Sequence, residues 1–178
     1  MAYEVKSSKV GFTGRVCTVT TDVISLPNGK TTERETVIRG NAAAIVAADS
    51  EGKLIFVRQY RHAVGKEVLE IPAGMIDEGE DPEVCAIREL EEETSYKAGK
   101  MNFVCAMYTA IGFCTEVLYL YIAEDLSQGE FNFDPDEFIE VEKYTLDEAL
   151  KLIADGEIID GKTVAGIYAY AHKFGSKN

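Results

Sequence analysis

Apolar and polar positions alternate with a period of two over residues 15–40, RVCTVTTDVISLPNGKTTERETVIRG, where β-branched residues are interleaved with polar ones. That rhythm predicts strands, and Pro27-Asn28-Gly29 in its middle predicts a hairpin turn. The first forty residues therefore read as strands. Continuous apolar runs follow: NAAAIVAAD and KLIFVRQYR, separated by Asp49-Ser50-Glu51-Gly52, predict a second strand–turn–strand unit. EVLEIPAG reads as a short strand stopped by Pro72. NFVCAMYTA and EVLYLYIAEDL predict two more strands, SQGEFNFDPDE a polar loop, and FIEVEKYT a further strand. Residues 82–94, 146–155 and 162–173 carry helical patterns. Strands mixed with a few helices predict an α+β domain with an α/β/α layering.

The segment 82–94 is the most informative of these. Asp81 is a suitable N-cap and Pro82 suits the first helical position. At about 100° per residue, Val84, Ile87, Leu90 and Thr94 share one face, the expected core side. Glu89, Glu92 and Glu93 fall on the opposite side, with the small Cys85 and Ala86 one turn earlier, and Glu91 points away. Arg88 is placed to pair with Glu92. Residues 74–96, GMIDEGEDPEVCAIRELEEETSY, hold nine carboxylates in 23 positions. Like charges at helical spacing repel, and a hard divalent cation such as Mg²⁺ or Mn²⁺ bound by converging carboxylates would offset that cost.

Charge and composition narrow the range of functions. The chain has 178 residues, enough for one domain with a small appendage, and a net charge of −13, which disfavours bare nucleic acid and anionic membranes as partners. No apolar run is long enough for a membrane span, and MAYEVKSSKV lacks a signal-peptide core. Cys17, Cys85, Cys105 and Cys114 show no C-x-x-C spacing and there are two histidines, so the expectation is reduced cysteines, a cytoplasmic location and no structural zinc.

The spacing Gly74, five residues, Glu80, seven residues, Arg88-Glu89-Leu90-x-Glu92-Glu93 resembles the Nudix box. VRQYR, EIPAGMIDEGE, DEFIEV and GKTVAGIYAY resemble the ADP-ribose pyrophosphatase branch of that superfamily, so the similarity runs from about residue 11 to about residue 170. The resemblance implies a Nudix α/β/α sandwich with a mixed sheet over 41–178, preceded by a small N-terminal antiparallel β-sheet over 1–40 that serves dimerisation. It implies metal binding by Glu89, Glu92, Glu93 and the Ala73 carbonyl. Arg88 would orient the carboxylates, Glu80 would tie the loop to the helix, and Gly74 would let the chain turn sharply and approach the ion. Arg61 would contact the substrate diphosphate, and Glu70 would lie near the metals and the terminal ribose. Glu137, with Asp134 and Asp136 as neighbouring alternatives, would be the general base. In a homodimer Arg34 and Arg39 would reach the partner's pocket.

The implied reaction is metal-dependent hydrolysis of ADP-ribose, or a related nucleoside diphosphate sugar, to AMP and ribose 5-phosphate. A ligand-binding sensor with little hydrolysis is the alternative. The chain departs from the pattern at Ser95, where the box has glycine. It departs again at Ala110-Ile111-Gly112-Phe113, which keeps the glycine at Gly112, a candidate substrate contact, and has isoleucine where proline is common.

Overall fold

The structure is a computed structural model that describes residues 3–129 and 139–174. Contacts divide the chain into two compact units, residues 1–41 with 108–118, and residues 42–107 with 119–178.

The first unit is built on an antiparallel sheet of β1 (Glu4–Thr13), β2 (Thr18–Ser25) and β3 (Thr31–Ile38), in that order. The β2–β3 turn places Gly29 at φ 78°, and Lys30 N–H donates to Asn28 Oδ1. Every residue of β1 is exposed, among them the large apolar Val5, Val10 and Phe12. In residues 108–118, Phe113 O accepts from Val37 N–H and Thr115 N–H donates to Val37 O.

The second unit is built on a mixed seven-stranded sheet. Its strands are β4 (Ala42–Ala48), β5 (Leu54–Arg61), β6 (Lys66–Glu70), β7 (Ala73–Met75), β8 (Tyr96–Tyr108), β9 (Val117–Gln128) and β10 (Glu140–Tyr144). The path runs β10-β5-β4-β9-β8, with β6 on β5 and β7 on β4. The helices are α1 (Pro82–Thr94), α2 (Leu146–Ala154) and α3 (Gly161–Phe174). β4 is buried along its whole length, as a strand covered on both faces must be. Ala43, Ile45 and Ala47 share a core with Cys85, Ala86 and Leu90 of α1. Val46, on the other face, lies against α3, so close to Gly166 that a Cβ there would stand 2.7 Å from its Cγ2. Because side chains alternate along a strand, α1 and α3 cover opposite faces of the sheet, which is the expected sandwich.

Three local expectations are corrected. EVLEIPAG is two strands, since Ile71-Pro72 carries the chain from β5's edge to β4's; Pro72 has no N–H to continue a ladder, and its carbonyl accepts from Ile45. β8 begins at Tyr96, directly after α1 and well before Asn102. The buried face of α1 is Cys85, Ala86, Leu90, Glu93 and Thr94, whereas Val84 is 56% and Ile87 41% exposed. The sheet accepts the helix's small residues because they let the two backbones approach closely. No helix among the described residues is long and apolar enough to cross a membrane.

Candidate active site

α1 starts and ends through its local sequence. Asp81 accepts from Glu83 N–H at 2.8 Å, and Ser95 closes the helix in the left-handed region, φ 59°, with its N–H on Glu91 O. Ser95 is wholly buried, and among the described residues its hydroxyl has no hydrogen-bond partner. Between these ends Arg88 gathers three carboxylates: Glu80 at 3.0 Å, Glu89 at 2.6 Å and Glu92 at 2.9 Å. Its Nη2 also donates to Met75 O, and Glu80 accepts from Asp77 N–H. One guanidinium thereby joins the helix to the loop of residues 75–80. Hydrogen bonding from Arg88, and then from the Asp77 amide, holds the Glu80 carboxyl down at about 2. Burial pushes the neighbouring Cys85 thiol up to about 12, which makes it a poor nucleophile.

The other carboxylates lie against β7. Glu93 is 5% exposed and accepts from Ala73 N–H at 3.0 Å. A Cβ on Gly74 would come within 1.9 Å of the Glu89 carboxyl, so glycine is needed there to make room for Glu89. Gly74 is a strand residue opposite Ala43, with no sharp turn and no positive φ, which corrects the reason expected for it. Glu92 is the outermost of the three, its side chain 44% exposed. No three carboxylate, histidine or cysteine groups among the described residues stand ready in a metal-binding cluster. The donor chemistry nonetheless fits a hard divalent ion, because Glu89, Glu92 and Glu93 offer only oxygen and carry more charge than Arg88 neutralises.

A second cluster forms where β5, β6 and the start of α3 meet. Arg61 holds Glu70 through Nε at 2.7 Å and Nη2 at 2.9 Å, the bidentate geometry that guanidinium and carboxylate favour. Lys162 Nζ also bonds Glu70, and reaches Asp160 at 2.9 Å. Asp160 accepts from Thr163 N–H, and Thr163 Oγ1 accepts from Ile71 N–H. Glu70 is 2% exposed, a buried carboxylate on a strand. Burial alone would push its carboxyl up, but Arg61 and Lys162 bring it below its ordinary value. Sequence reasoning missed Lys162 and Asp160. The one signal was the quoted GKTVAGIYAY segment, which contains Lys162 and follows directly on Asp160, and nothing local links Lys162 to Glu70, 92 residues away.

The remaining candidates fall elsewhere. Arg34, on β3, donates to Thr32 Oγ1 and Glu33 O; Arg39 lies 3.1 Å from the Glu116 carboxylate. Among the described residues nothing lies within 4 Å of where a Cβ on Gly112 would stand, so none of them crowds that position. An open, largely apolar cleft of about 510 Å³ in the first unit is lined by Thr36, Tyr108, Ile111, Phe113, Cys114 and Thr115. Glu137, Asp134 and Asp136 lie outside the described residues.

The chain is similar to known proteins. The NUDIX domain model matches residues 38–166. The chain is 43% identical over 158 residues to the ADP-ribose pyrophosphatase of Bacillus subtilis, covering 88% of this chain and 85% of that one. It is 42% identical over 165 residues to the methanol dehydrogenase activator of Bacillus methanolicus, covering 92% and 89%. Its fold is similar to that of a crystallised ADP compounds hydrolase, with TM-score 0.88 and 21% identity over 99% of this chain and 98% of the other. With the box residues of α1 and β7 in place on this sandwich, the chain belongs to the Nudix family, as a Nudix pyrophosphohydrolase.

Proposed function

We propose that the protein hydrolyses the diphosphate of ADP-ribose to AMP and ribose 5-phosphate, with Mg²⁺, or Mn²⁺, as its cofactor. The observation that carries this reading is the under-neutralised carboxylate group of α1, pressed against a bare Gly74 backbone and oriented by Arg88. Nudix hydrolases generally use a divalent metal. Glu89, Glu92, Glu93 and the Ala73 carbonyl would hold it, and when bound it supplies charge neutralisation and Lewis acidity at the diphosphate. Arg61 offers the outer edge of its guanidinium to phosphate oxygens. Glu70 keeps Arg61 in place beside the ribose end. Glu137 takes the proton of the attacking water, at its carboxylate. The similarity to the Bacillus subtilis enzyme supports ADP-ribose over other nucleoside diphosphate sugars.

In this reading the protein is a cytoplasmic homodimer that binds neither nucleic acid nor membrane. The exposed apolar residues of β1 form the contact, residues 1–40 are the dimerisation region and 41–178 the hydrolase domain. Arg34 and Arg39 serve the partner's substrate, and Gly112 contacts the substrate. Incubation with ADP-ribose and Mg²⁺ should release AMP, and chelation should stop it. Binding of ADP-ribose without AMP release would instead establish the sensor. The similarity to the methanol dehydrogenase activator supports a second reading, action on a dehydrogenase. Stimulation of methanol dehydrogenase by the purified protein tests that directly.

A further inference from the structure

The cluster around Glu70 contains two cations where one would satisfy the buried carboxylate. Arg61 and Lys162 meet it from different depths: the Lys162 side chain is 15% exposed and that of Arg61 42%. Both oxygens of Glu70 receive Arg61, and Oε2 receives Lys162 as well. Among the described residues, the hydrogen bonds of the Arg61 guanidinium to protein run through Nε and Nη2, one edge of its fork. An anion arriving from solvent therefore meets Arg61 first, and meets a guanidinium already committed to Glu70.

If Arg61 were Glu70's sole partner, turning it toward an anion would strand a buried carboxylate, and leaving it in place would cancel its charge. Lys162 removes that conflict. Its ammonium is fixed beneath Glu70 by Asp160, which is itself held by Thr163, and Thr163 receives the amide of Ile71, the residue after Glu70. The lysine is thus anchored to the strand whose carboxylate it serves, independently of Arg61. With Arg61 turned to an anionic ligand, Glu70 keeps the Lys162 ammonium as its charged partner, and Asp160 keeps the Thr163 amide and hydroxyl beside that same ammonium.

We propose that Lys162 is a positioning residue for the anion site: by carrying the charge of Glu70 it frees the Arg61 guanidinium to hold a substrate diphosphate. The inference rests on Arg61 as the diphosphate contact of the proposed reaction, and its test is separate from turnover. Binding of inorganic pyrophosphate is measured by calorimetry for the wild type, Lys162→Met, Lys162→Arg, Glu70→Gln and the Glu70→Gln/Lys162→Met double variant. Lys162→Met should weaken binding about tenfold and Lys162→Arg should recover most of it. In the Glu70→Gln background Lys162 and Arg61 no longer share a carboxylate, Asp160 remaining as the partner of Lys162, so adding Lys162→Met should change affinity less than about twofold. An equal loss in both backgrounds would show that Lys162 acts on the anion itself and would overturn the inference. So would unchanged binding in Lys162→Met, or no pyrophosphate binding by the wild type. Should Lys162→Met fail to fold, Lys162→Gln on the same two backgrounds gives the same comparison. With ADP-ribose, Lys162→Met should raise KM about tenfold and leave kcat within about threefold. A wild type that binds pyrophosphate as described but releases no AMP would sink the proposed reaction and leave the role of Lys162 standing.

Discussion

Around Arg88 one guanidinium serves three carboxylates, Glu80, Glu89 and Glu92, whereas around Glu70 two cations, Arg61 and Lys162, face two carboxylates, Glu70 and Asp160. Both clusters lie in the same compact unit and both are partly buried, yet their charge balance is opposite. The first carries surplus negative charge beside Gly74, where the backbone has no side chain to fill the space. In the proposed reaction it would gain a cation. The second sets two cations against two carboxylates with its more exposed member positive, and in the same reading would meet an anion.

The largest effect should come from lowering the surplus at the first cluster. Glu93→Gln keeps the side chain's size and should cut turnover by roughly a hundredfold or more, as loss of one charged group at a reacting centre commonly does. Added Mg²⁺ should raise the wild-type melting temperature and leave that of the variant nearly unchanged. Near-normal turnover in Glu93→Gln would remove the metal from this cluster.

Gly74→Ala tests the space and leaves the charge alone. The new methyl would displace the Glu89 carboxyl, the mobile end of its side chain, and with it the 2.6 Å contact to Arg88. Turnover should fall about tenfold, equivalent to roughly 1.4 kcal/mol of barrier, while the melting temperature moves by only a few degrees. A large stability loss with normal kcat in the folded fraction would show that Gly74 matters for packing alone.

Acid should separate the clusters further. The Glu80 carboxyl is held near about 2 against an ordinary 4.5, so its contribution to stability is complete above about 4.5 and lost as pH falls toward about 2. Glu80→Gln should therefore be less stable than wild type at neutral pH, with the difference closing across that window. Urea unfolding at a series of pH values would reveal it. A difference that stayed constant down to pH ~2 would mean that the Arg88–Glu80 pair contributes nothing electrostatic.

The smallest effect belongs to a position in neither cluster, which serves as a control. Ser95→Gly should raise stability by about 0.5–1 kcal/mol, since Ser95 adopts φ 59° and buries a hydroxyl that has no partner among the described residues. Turnover should not change. A gain beyond about tenfold would mean that the end of α1 sets the positions of Glu92 and Glu93, so that the first cluster depends on more than charge.

Much of the first cluster was legible in the chain, because its parts are neighbours. Asp81, Pro82 and Ser95 bound α1, and the spacing of Arg88 to Glu92 alone brings that pair together. Hydrophobicity misjudged the orientation of the helix. Val84 and Ile87 are the more apolar, but Cys85 and Ala86 are the ones buried, since the all-buried β4 leaves room for small side chains. Glu93 follows them inward because the Ala73 amide awaits it.

Where the helices and most strands run, and that a run of carboxylates recurs at helical spacing after Gly74, can be read from the chain alone. Those features depend on bonds and sterics within a few residues. Only the tertiary structure decided that Glu70 is buried, that Lys162 and Asp160 stand beside it, and that the Glu89 carboxyl fills the space over Gly74. Each of these joins residues separated by 15 positions or more, and is fixed by how α1 and α3 pack on opposite faces of β4. No local rule for the chain contains that packing.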